Sequence, residues 1–111
     1  MSTMRGAARM QIERRSSRRY RFDAGLEMQW GSAALPGRVR DISAGGVLVE
    51  TADPLWMGAS FEAILALDGA PRVECVVRRV VPMKGVGLTY IARDPLAQER
   101  LNALLKSLAG K

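Results

Sequence analysis

The sequence contains no histidine and only one cysteine. Without histidine, both the commonest general base and the commonest metal ligand are missing. A single cysteine closes no internal disulfide, and any metal site would depend on scattered carboxylates. No paired-carboxylate motif and no nucleophile elbow occur, so the chain is not expected to be an enzyme and calls for no cofactor. Aromatic residues make up 5% of the chain, too few for an evident platform on which single-stranded nucleic acid would stack. No apolar run approaches the length of a membrane span. The first residues carry Arg5, Arg9, Arg14 and Arg15 but no apolar stretch of the kind found in a signal peptide. The expectation is a cytoplasmic, reducing setting without membrane insertion. Cys75, inside RVECVVRRVV, reads as a small core residue.

What is present suits one domain with a modest core: 111 residues, 48% hydrophobic and 25% charged. The net charge of +6 is unevenly placed. Residues 1–21 hold seven arginines against one acid, Glu13, and so carry the whole excess, while the remaining bases and acids balance. A neutral body with a charged arm is the implied organisation. A domain that binds duplexes more often spreads its basic residues over a folded face. Residues 1–13 lack periodicity and are expected to be a mobile basic arm. Residues 14–111 form the domain, with a barrel over about 20–92 and a helix over about 95–108.

From Phe22 the pattern has a period of two, placing Ala24, Leu26, Met28 and Trp30 on one face. GSAALPG reads as a turn, with a second strand beginning at RVRDI and a third at GGVLVET. ADPLWMGA reads as a loop, SFEAILAL as a fourth strand, and Asp68-Gly69 as a hairpin turn. VECVVRRVVPM follows, its alternation shifting near Val76 and Val77 as at a bulge. KG turns the chain again into VGLTYI. Six short strands joined by tight turns predict an all-β antiparallel barrel or sandwich. Asp94 and Pro95 then predict a helix start. Ala97, Leu101, Leu104, Leu105 and Leu108 form its apolar stripe, suited to the barrel mouth.

Two motifs carry the chemistry. Arg14-Arg15-x-x-x-Arg19 stands where the arm meets the first strand, and Asp41-x-Ser43-x-x-Gly46 stands between the second and third strands. A guanidinium is a rigid fork of donors that matches phosphate or guanine O6 and N7, and it also stacks on a purine. Arg15 and Arg19 reach across at most about 14 Å of extended chain, enough to grip different parts of one dinucleotide-sized ligand. Asp41 is an acceptor for guanine N–H donors, and Ser43 donates and accepts. Gly45 and Gly46 permit positive φ and close backbone approach. Taken singly, the first motif is also consistent with a solvated arm, and the second with a strand end closed by an Asx or Ser turn.

Together, in this order and spacing and followed by GVLVET and GVGLTYI, the motifs resemble the PilZ domain, a family of bacterial cytoplasmic receptors for cyclic di-GMP. The resemblance covers Arg14 to about Ile91. It implies a six-stranded antiparallel barrel with a C-terminal α-helix. By position it assigns Arg15 and Arg19 to the bases and phosphates of the ligand, with Arg14 assisting. It assigns Asp41 and Ser43 to contacts across the pocket, and Gly46 to the turn that opens it. Arg18 and Arg21 lie outside the pattern, and Arg78 and Arg79 read as surface charges. The implied function is a non-enzymatic receptor whose arm orders on cyclic di-GMP and signals to an effector protein. The alternatives are a small barrel that binds single-stranded nucleic acid nonspecifically and a ligand-independent adaptor.

Overall fold

The computed structural model describes residues 18–110; Arg14, Arg15 and the arm over 1–13 lie outside the described residues. Six strands and one helix follow in order: β1 Tyr20–Trp30, β2 Ala33–Ile42, β3 Gly46–Glu50, β4 Ser60–Leu65, β5 Arg72–Val81, β6 Gly85–Ala92 and α1 Pro95–Ala109. The strands close into an antiparallel barrel in the order β1-β2-β3-β6-β5-β4, with β1 also paired to β4. This is the barrel and C-terminal helix that the strand pattern and the family resemblance implied.

Alternation sorts the side chains. Leu26, Met28, Val39, Val49, Ala63, Leu65, Cys75, Val77 and Leu88 point inward and are almost fully buried, as expected of a small barrel whose interior is filled by side chains. The helix begins where Asp94 Oδ1 accepts from the Ala97 amide at 2.8 Å, and Pro95 takes a position that has no N–H to satisfy. Leu101 packs into the core cluster, with Leu104, Leu105 and Leu108 beside it, so the apolar stripe closes one barrel end. At the other end Trp30 lies between Phe61, 4.8 Å away between ring centroids, and Trp56 at 5.5 Å.

Three local expectations need correction. GSAALPG is not a turn: only Gly31 and Ser32 leave the ladder, and β2 runs through Pro36, opposite Glu27. Proline is tolerated there because the pairing of β2 to β3 starts two residues later, at Arg38 opposite Glu50, so its missing N–H costs no ladder bond on that side. The β4–β5 turn uses positive φ at Gly69 and Ala70, not at Asp68 and Gly69. The Ala70 amide donates to Leu67 O at 2.8 Å and closes that turn. Neither Gly45 nor Gly46 has positive φ. β5 carries the expected bulge close to Val76 and Val77, with the register shifting between Val77 and Arg79.

Burial of two weak acids makes the fold sensitive to alkali. Desolvation pushes the Cys75 thiol up to about 12. It also pushes the Tyr90 phenol up to about 12, and the nearby Cys75 charge adds to that shift. Their ordinary values are 9.0 and 10.0, so above pH 9 the unfolded chain releases these protons before the folded one does. The stabilisation is therefore complete below pH 9 and is lost as pH rises towards about 12. Thermal melts should give a flat Tm from pH 7 to 8.5 and a falling one above 9. Cys75→Ala should move the onset of the fall up towards 10, leaving Tyr90 to dominate. A Tm that stays level to pH 11 would refute this account.

Candidate functional site

The pairing of β1 with β2 brings the two motifs together. Arg19 immediately precedes β1, and the next two residues, Tyr20 and Arg21, lie opposite Ile42 and Asp41 at the end of β2. Arg19 Nε donates to Asp41 Oδ1 at 2.9 Å, and its Nη2 lies 2.9 Å from the same oxygen. Both side chains keep solvent access, 42% for Arg19 and 26% for Asp41. An ion pair this exposed contributes at most about 1 kcal/mol to stability. Its consequence is positional: the guanidinium is held beside the β2–β3 loop, with Nη1 3.5 Å from where a Cβ on Gly46 would stand.

That loop is held from within. Ser43 is buried, and its amide donates to Gly46 O at 2.8 Å. Its Oγ accepts from the Gly46 amide at 3.2 Å and is 3.3 Å from Gly46 O. The Tyr90 hydroxyl donates to Ser43 O at 2.6 Å, while the Tyr90 amide donates to Gly45 O at 3.1 Å. The loop is thus fastened to β6, and the Ser43 hydroxyl serves the turn that presents Gly46. The Gly46 position needs glycine for room rather than for conformation. A Cβ there would stand 3.3 Å from Leu88 O and 3.5 Å from Arg19 Nη1. At Gly45 a Cβ would meet nothing within 4 Å, so of the two glycines only Gly46 permits close approach.

Of the expected residues, then, the structure places Arg19, Asp41, Ser43 and Gly46 in one patch, while Arg14 and Arg15 lie outside the described residues. Sequence reasoning missed Tyr90, whose hydroxyl holds the loop from 47 positions away in the chain. The only signal was a tyrosine on the inward side of the last strand, which reads equally well as core. Beside the patch, Arg38 grips Asp23 with Nε at 2.7 Å and Nη2 at 3.1 Å, and Arg40 lies between Asp23 and Glu50. Hydrogen bonding from Arg38 holds the Asp23 carboxyl below its usual range, with the charges of Arg38 and Arg40 acting the same way against the cost of desolvation.

Among the described residues, Arg18, Arg21, Arg78, Arg79 and Arg100 make no ion pair. The same residues include no cluster of acids and cysteine fit to hold a metal ion, and no helix long and apolar enough to cross a membrane. A larger cleft of about 850 Å³ lies elsewhere, between Pro36–Arg38, Glu50–Leu55 and Val80–Val86. It contains no motif residue. The described motif residues, Arg19, Asp41, Ser43 and Gly46, gather instead where the start of β1 meets the β2–β3 loop.

Comparison with known proteins agrees with the fold. Residues 13–107 match the PilZ domain. Among solved structures the chain is similar to the inhibitor of motility (MotI/DgrA) of Bacillus subtilis, at 27% identity and a TM-score of 0.65 over 86% of this chain and 49% of that one. It is also similar to the PilZ domain of YcgR from Escherichia coli, determined with c-di-GMP, at 18% identity and a TM-score of 0.60 over 86% and 92% of the two chains. This second likeness is one of fold alone. The chain spans about half the length of MotI/DgrA. No curated protein matches it. With 13–107 matched end to end, the chain belongs to the PilZ domain family, whose domains are non-enzymatic cyclic di-GMP receptors.

Proposed function

We propose that this protein is a cytoplasmic cyclic di-GMP receptor in which Arg14, Arg15 and Arg19 clamp the ligand against Asp41, Ser43 and Gly46. The observation that carries the proposal is the direct contact of Arg19 with Asp41, which puts the two motif halves at one place on the barrel. Membership of the PilZ family supports the ligand class, and so does the presence of c-di-GMP with the PilZ domain of YcgR. The charge distribution supports the switch. Seven arginines within 21 residues repel one another, and a dianionic ligand relieves that repulsion where the arm enters β1. Charge-assisted hydrogen bonds and guanidinium stacking then draw Arg14 and Arg15 towards the glycine of the β2–β3 loop, ordering the arm. The surface so formed, continuous with the start of β1, is what an effector protein reads.

Isothermal titration of the full chain with cyclic di-GMP, with GTP and cyclic di-AMP as controls, tests the ligand and its base specificity together. Saturable heat is expected with cyclic di-GMP alone. A folded sample giving no heat with cyclic di-GMP refutes the receptor and leaves a ligand-independent adaptor. Comparable, steeply salt-dependent affinity for random oligonucleotides would instead indicate nonspecific binding of single strands.

A further inference from the structure

The patch around Gly46 continues across two more strands. Gly46 pairs with Thr89 of β6, and Thr89 pairs with Val76 of β5; one step along, Leu48 pairs with Gly87, and Gly87 with Arg79. The β5 bulge falls at this level. The register shifts between Val77 and Arg79, so that Arg78 and Arg79 are both exposed instead of one turning into the core. Arg78 Nε donates to Thr89 Oγ1 at 3.1 Å. Arg79 lies across Gly87, where a Cβ would stand 3.0 Å from its Cγ and its Nε. Gly46 and Thr89 thus floor a strip flanked by Arg19 on one side and by Arg78 on the other, with Arg79 laid over Gly87 beside it.

We infer that Arg78, oriented by Thr89 and flanked by Arg79, forms a second anion-binding wall for the ligand, reaching a phosphodiester on the side away from Arg19. The inference rests on the proposed receptor function and extends its site. Three observations favour a ligand contact over a solvated charge. Neither Arg78 nor Arg79 makes an ion pair among the described residues, whereas Arg38, Arg40, Arg72 and Arg93 all do. Binding through Nε leaves both Nη groups of Arg78 free for a two-pronged grip on phosphate. The strip from Gly46 to Val76 is two strand spacings, roughly 10 Å, wide, which suits a ligand that carries two phosphates on one ring.

The test is titration of the full chain with cyclic di-GMP at two salt concentrations. Arg78→Gln should weaken binding about 10-fold or more and reduce the dependence of log Kd on log salt by about one. Arg78→Lys should keep the salt dependence and lose several-fold in affinity, because charge is retained without the fork. Thr89→Val should weaken binding a few-fold with the salt dependence unchanged. Lys106→Gln, which removes an equal charge from the helix, should leave both quantities as they are. Thermal melts are expected to superimpose throughout. Wild-type binding with unaltered affinity and salt dependence in Arg78→Gln overturns the second wall and leaves the receptor standing. No binding by the wild-type chain overturns both.

Discussion

Arg19→Ala is expected to lower the affinity for cyclic di-GMP at least 100-fold while lowering the Tm by no more than about 5 °C. The two halves of this expectation have separate causes. In stability terms Arg19 makes one exposed ion pair with Asp41, worth at most about 1 kcal/mol. In binding terms it contributes a guanidinium held beside Gly46, able to make two charge-assisted contacts of about 1.5–3 kcal/mol each. Its removal also leaves Asp41 facing a dianionic ligand with no cation between them. Arg15→Ala, four residues upstream on the same clamp, is expected to abolish binding as well. Calorimetry beside thermal melts separates the outcomes. Tight binding that survives both substitutions removes the clamp from the account. A collapse of Tm in Arg19→Ala would make its role one of folding.

Gly85→Ala should strongly destabilise the barrel. Gly85 opens β6 with φ at +138°, and a Cβ there would lie 2.1 Å from Val49 O and 3.2 Å from Glu50 Cα. Both obstacles are backbone of β3, locked in register by the pairing of Val49 with Val86, so no side chain can swing aside to relieve the clash. Strain at such a φ and displacement of a central strand together should cost about 3 kcal/mol or more, a drop in Tm of roughly 15 °C or more for a domain of this size. Gly45→Ala is the matching control. Its Cβ meets nothing within 4 Å and its φ is not in the left-handed region, so its melt should stay within about 0.5 kcal/mol of wild type. Circular dichroism melts of the two variants decide the matter; a native-like Gly85→Ala would show that β3 and β6 are free to move apart.

Much of this architecture could be read before any coordinates because its determinants are local. The alternation from Phe22 to Trp30, the Asp94–Pro95 helix start and the leucine stripe each depend on neighbours within a few residues. Pro36 misled for the same reason. Proline next to glycine signals a turn locally, and only the stagger between β2 and β3 frees its position from needing an N–H. Asp68-Gly69 marked the right turn at the wrong offset, because the close at Leu67–Ala70 moves positive φ on to Ala70. The patch divides in the same way. The spacing of RRxxxR and DxSxxG is legible along the chain, and β1–β2 pairing places Arg19 against Asp41. By contrast, the contact of Arg78 with Thr89, 11 residues away, depends on a bulge and on the β5–β6 register together. Composition and periodicity report neither the exact site of that bulge nor the register, so two arginines that read as surface charges turn out to border the glycine strip.

Because β1 bonds to β4 as well as to β2, the strands form a complete hoop with no loose hem. Along the paired stretches of the described strands another polypeptide therefore finds no free edge on which to stitch its own backbone by strand addition. Under the proposed function, an effector would read an outward texture of side chains rather than an added strand.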